Sequence, residues 1–266
     1  GDYFDLMNFH YFTYYKKLWD PYGVDIIGKT TYIRDKLESY GVEKPHICTE
    51  ACMGSNPGFG TEELQARYIP QLFARSKEAD LDFTVWWWLF DFSNIEQECG
   101  LMKQDGRLKP GYFAFQTLAA ELANTEYVGT LSPAETGSEQ VEAYKFAALQ
   151  GSAPVIVAWT NDGRQHPVVF QTEQIVRVDK VGTRTTISDG DDGKNDGQVT
   201  VLVAPSPVYL RYQRKYKLEI ITSGSGTVSK QPDRADYQFG DVVTLAPVPA
   251  SGWSFGRWSG VDAGSL

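Results

Sequence analysis

The sequence predicts an α/β unit, then an all-β unit, then a small glycine-punctuated β unit. Three observations predict this. Buried-type strands alternate with helical patterns over the first 122 residues, period-two alternation takes over after Asn124, and short strands with glycine turns follow Tyr216. A chain of 266 residues is long enough for two or three such units, each with its own core.

In the first unit, residues 5–12 (DLMNFHYF) read as a buried strand. A helix follows over 30–40, where Tyr32, Ile33, Leu37 and Tyr40 share one face and Gly41 closes it. Residues 45–50 (PHICTE) form the second buried run, and a Gly/Asn/Pro loop leads to a helix over 61–77 with Thr61 as its N-cap. Residues 82–90 (DFTVWWWLF) are the third strand. The third helix, over 109–123, is entered through Pro110. Three strand-and-helix units imply parallel pairing, hence a doubly wound sheet or a piece of a (β/α) barrel. No GxGxxG or GxxxxGK[ST] loop follows any of the strands, which disfavours a nucleotide-binding fold.

The second unit contains strand patterns at 140–149, 155–160, 167–171, 175–178, 198–203 and 207–212, spaced as in an antiparallel β-sandwich. The third places strands at 217–221, 223–228, 241–247 and 252–258, a size typical of modules that occur in arrays.

Composition narrows the function. With 25 basic against 34 acidic residues, and no basic cluster, nucleic acid is a poor partner. Aromatic residues make up 14%, a content suited to stacking on the apolar faces of sugars. No apolar run is long enough for a membrane span, and both termini read as cuts, so the chain is expected to be a fragment. Cys48, Cys52 and Cys99 lack zinc-site spacing; buried thiols and a Cys52–Cys99 bridge both fit them.

Glu50 is the first candidate for chemistry because it ends a buried strand, where a (β/α) barrel builds its active face. Alternation puts His46, Cys48 and Glu50 on one face of that strand. His10 ends the preceding strand in the equivalent place, with Tyr11 and Tyr14 as neighbouring phenols. Trp86, Trp87 and Trp88 are expected to point alternately inward and outward, which leaves at least one as a sugar platform. The acidic stretch 189–197 (DGDDGKNDG) fails as a calcium loop, since Lys194 and Val203 would fall on ligand positions, and it reads as a solvated turn. No metal site or cofactor is expected.

Three segments, 5–11 (DLMNFHY), 46–50 (HICTE) and 85–91 (VWWWLFD), resemble strands six, seven and eight of clan A glycoside hydrolases, which have (β/α)8 TIM barrels and retain anomeric configuration. The phrase at 100–110 (GLMKQDGRLKP) is similar to the segment leading into their last helix. The resemblance implies a partial barrel over residues 1–122, with Glu50 as nucleophile. It implies His10, Tyr11, Tyr14, Trp87 and Trp88 as substrate-binding residues, and a C-terminal β-sandwich over 123–213. Phe12 stands where the clan often has a tyrosine. The clan's acid/base belongs to an Asn-Glu pair after strand four, and no Asn-Glu pair occurs in this sequence. The fragment alone is therefore expected to be inactive.

Residues 224–228 (GSGTV) and 252–260 (GWSFGRWSG) resemble an internalin-type B repeat, which gives a truncated module over 214–266. That resemblance implies a secreted or cell-surface bacterial protein, associated with cell wall or matrix. The expected function is hydrolysis of O-glycosidic bonds in poly- or oligosaccharides. The alternative is a non-catalytic surface protein for carbohydrate binding or adhesion.

Overall fold

The computed structural model describes residues 3–92, 97–149, 154–212, 217–237 and 241–259. Strand β1 (Met7–Phe12), helix α1 (Asp25–Glu38), strand β2 (His46–Cys52), helix α2 (Glu62–Glu78), strand β3 (Leu81–Trp86) and helix α3 (Pro110–Leu122) follow in turn. The three strands form a parallel sheet in the order β1-β2-β3. Each helix begins or ends for a local reason. Thr61 caps α2 by accepting the Leu64 N–H at 3.1 Å, Pro110 opens α3, and Gly41 at φ +68 follows α1, where its N–H returns to the Glu38 carbonyl. Helix α1 starts five residues before its expected position. It packs so closely on the preceding turn that a Cβ on Gly28 would lie 2.3 Å from the Gly23 carbonyl oxygen.

After α3 the chain forms a six-stranded antiparallel sheet in the order β4-β5-β6-β11-β8-β9. Its strands are β4 (Thr125–Thr130), β5 (Val141–Ala148), β6 (Val155–Thr160), β8 (Gln174–Asp179), β9 (Arg184–Ser188) and β11 (Val208–Tyr212). Strands β7 (His166–Phe170) and β10 (Val199–Val203) pair separately. Strands β4 and β9 were not expected from the sequence. Both are sheet edges with partly exposed, weakly apolar residues, so neither needs a strong alternating pattern.

Alternation explains the layers. Val155, Val157 and Trp159 of β6 join Tyr144, Phe146, Tyr209 and the buried residues of the α/β unit in one core. Ile156 and Ala158 join Val168, Phe170, Val199, Val201 and Val203 in another. Two buried charge clusters reinforce the first contact. Arg75 of α2 binds Asp25 and, with two 2.7 Å bonds, Glu142 of β5. Glu121 of α3 binds Arg184 and Arg211.

The last segment contains strands β12 (Gly226–Gln231) and β13 (Thr244–Pro249), paired antiparallel. Two expected strands are not formed. Residues 217–221 have no regular structure and Ile221 is exposed, so their alternation has no face to bury. Residues 252–258 follow a turn without forming regular structure, and Phe255 and Trp258 meet there at 5.0 Å. The ends of this unit, 214–216 and 260–266, lie outside the described residues.

Candidate active site

Glu50 lies near the carboxyl end of the middle strand of the parallel sheet. Its Oε2 stands 3.1 Å from Nδ1 of His10 on β1, and both side chains are partly exposed, at 22% and 46%. Two of the residues expected to share a site are thus in direct contact. The face on which they meet differs from the expected one. Cys48 pairs with Phe9 and is fully buried, whereas Glu50 pairs with His10, because the ladder slips by one residue between Phe9 and His10. Strand β2 carries one extra residue, Thr49, and this bulge turns Glu50 away from the buried face of Cys48.

Tyr11 must be corrected. It is fully buried at 0% exposure among the residues between sheet and helices, and its hydroxyl lies by Asp25, so it is closed to a sugar. The reason is the strand period, since a residue next to His10 points to the opposite face. Tyr14 lies in the turn after β1, 61% exposed, with its ring 5.5 Å from Phe59 of the loop after β2.

The tryptophans also depart from simple alternation. Trp86 is buried and its indole N–H bonds the Cys99 carbonyl. The Trp87 N–H continues the ladder to the Ala51 carbonyl, beside Glu50. Trp88, two residues past the end of β3, adopts φ +74, a conformation that a bulky residue resists. The rings of Trp87 and Trp88 consequently lie together, 4.9 Å apart and tilted by 35°.

Behind this end of the sheet the chain is tied down by a disulfide, one of the two readings the sequence left open for its cysteines, and by a buried lysine whose role the sequence did not reveal. Cys52 and Cys99 form a disulfide. Lys109 is fully buried and its Nζ donates to Ser55 Oγ, both oxygens of Asp91 and the Glu98 carbonyl. Burial pulls this lysine below its ordinary pKa, against the pull of the Asp91 carboxylate. Gly100 donates its N–H to Asp91, and a Cβ there would sit 2.4 Å from the Asp91 nitrogen. The 100–110 phrase therefore anchors the segment after β3. In the 189–197 turn, Asp189 accepts from Asp196 N and Gly197 N, and Asp192 accepts from Lys194 N and Thr200 Oγ1. Among the described residues no cluster of His, Cys, Asp and Glu could hold a metal ion. No described helix is long and apolar enough to cross a membrane.

The fold has counterparts among solved structures. The chain is similar to a family 39 glycoside hydrolase from the gut symbiont Bacteroides cellulosilyticus WH2, with a TM-score of 0.55 and 19% identity over 71% of this chain and 39% of that one. It is also similar to a glucosidase from Croceicoccus marinus, with a TM-score of 0.51 and 14% identity over 77% of this chain and 52% of that one. The chain thus shares its fold with part of these glycoside hydrolases and spans about half of their length or less. Residues 216–265 match a family described as a divergent InlB B-repeat domain. No curated protein matches the chain.

Proposed function

We propose that the chain is a fragment of a secreted, retaining glycoside hydrolase in which Glu50 attacks the anomeric carbon of an O-glycoside. The observation that carries this reading is the Glu50–His10 contact at 3.1 Å, near the carboxyl end of a parallel strand and on its open side. Strand order is compatible with the same reading: β1-β2-β3 lie parallel in sequence order, as consecutive strands of a (β/α) barrel do. We read these strands as six to eight of a clan A barrel over 1–122. The antiparallel sheets over 123–213 are then a β-sandwich, and 214–266 is a repeat module.

In this scheme His10 holds Oε2, and Oε1 is the oxygen that bonds to the anomeric carbon as the glycosidic oxygen leaves. The departing oxygen takes its proton from a second carboxyl about 5–5.5 Å from the first. That group comes from a segment preceding Gly1. Water then hydrolyses the glycosyl-enzyme ester and frees Glu50. Tyr14, Trp87 and Trp88 are assigned to the bound sugar. The disulfide supports an oxidising, extracellular setting, and the repeat module supports attachment at the cell wall or matrix.

The test uses the longer protein that contains both carboxyls. Glu50→Gln is expected to lower hydrolysis of its glycoside on the order of a thousandfold or more, while the 266-residue chain alone does not turn over aryl glycosides. Unchanged hydrolysis by Glu50→Gln would exclude the nucleophile and leave the carbohydrate-binding alternative. Turnover by the chain alone would place the second carboxyl within it.

A further inference from the structure

The one-residue slip between β1 and β2 falls beside Glu50. Phe9 faces Cys48 and His10 faces Glu50, so Thr49 has no residue opposite it. In a regular strand Glu50 would share the face of Cys48 two residues earlier, and that face is buried. The bulge alone puts the carboxylate on the open face. A bulge has a cost, because it takes a backbone N–H out of the ladder and that donor needs another acceptor. Asn8 supplies it. Its Oδ1 accepts the Thr49 N–H at 3.3 Å and the Thr49 hydroxyl at 2.9 Å, which occupies both lone pairs of the amide oxygen. On the other side of the slip, the Lys29 ammonium donates to the His10 carbonyl and lies over the Phe9 and Trp19 rings.

We infer that Asn8 is a positioning residue: its side-chain oxygen pins the Thr49 bulge, and the bulge turns Glu50 from the buried face toward His10. The catalytic meaning of this device rests on the reading of Glu50 as nucleophile, whereas the geometry it asserts stands apart from that reading. Asp at position 8 keeps two acceptor lone pairs and preserves the device. Ala removes both.

The experiment uses the 266-residue chain labelled with 15N, as wild type, Asn8→Ala, Asn8→Asp and Glu50→Gln. Two signals are read by NMR: hydrogen exchange of the Thr49 amide and the 15N shifts of the His10 ring, with Glu50→Gln giving the signature of a lost His10–carboxylate contact. Asn8→Ala is expected to speed Thr49 exchange about tenfold, as for an opening that is easier by 1.4 kcal/mol, and to move the His10 shifts toward those of Glu50→Gln. Asn8→Asp is expected to keep both wild-type signals. If Asn8→Ala does not fold, Asn8→Ser, whose hydroxyl cannot reach as far, carries the same expectation. The inference is overturned if the alanine or serine variant keeps wild-type exchange and His10 shifts, if Asn8→Asp behaves like Asn8→Ala, or if Glu50→Gln leaves the His10 ring unmoved. Displaced His10 signals here together with undiminished hydrolysis by Glu50→Gln in the longer protein would keep Asn8 as the pin and remove only the nucleophile.

Discussion

Cys48 sits two residues before Glu50 and differs from it in almost every physical respect. Its thiol is buried, and that burial pushes its pKa up to about 11, although hydrogen-bond partners and Lys29 pull the other way. Because the thiolate is the reactive form, an aromatic disulfide reagent at pH 8 is expected to label no cysteine in the native chain. It should label one after denaturation and three after reduction as well. A reactive thiol in the native chain would contradict the burial. The sequence revealed part of this scale. Strand-end position singled out Glu50 and His10, which the structure brings into contact, since the carboxyl ends of neighbouring parallel strands lie at one edge of the sheet. Strict alternation then put Cys48 on the face of Glu50, because a bulge leaves no compositional mark, whereas Tyr11 lies on the buried face that alternation from His10 requires. Asn8 was invisible for the same reason, as its work is defined only once Thr49 lacks a partner.

Between elements, the informative contact is the Arg75 cluster that joins α1, α2 and β5. Arg75 binds Asp25 at 2.7 Å, Tyr68 donates to Asp25 at 2.9 Å, and Tyr144 and Asn161 donate to Glu142. Burial raises the cost of ionising Glu142, but the Arg75 hydrogen bonds and charge outweigh it, and the carboxyl titrates below its ordinary value of 4.5. A carboxyl lowered in the folded state adds stability that is present above its unfolded value and is lost as pH falls through its folded value. The melting temperature of the wild type should therefore drop more steeply below pH 4.5 than that of Glu142→Gln, as followed by circular dichroism; parallel curves would show that the pair does not couple to folding. None of these partners could be matched from sequence, because they are 50 and 67 residues apart. The helices and central strands were legible from period and caps. Edge strands β4 and β9 were not, because half of their surface faces solvent.

At the scale of the molecule, one core runs from the parallel sheet through the helices to Tyr144, Trp159 and Tyr209, so the change from parallel to antiparallel sheet after α3 does not interrupt the packing. The sequence predicted the change of architecture, which is a change of period. It could not predict the shared core, which depends on which face of β6 meets which helix. That core gives the candidate site a rigid back, and Glu50 and His10 project from the other side of the sheet. The most direct test traps the carboxylate in the act. The longer protein is treated with a 2-deoxy-2-fluoro glycoside bearing a good leaving group, digested and mapped by mass spectrometry. The added sugar mass is expected on the peptide containing Glu50, as an ester to that side chain. The same mass on a different carboxylate, with Glu50 unmodified, would contradict the account.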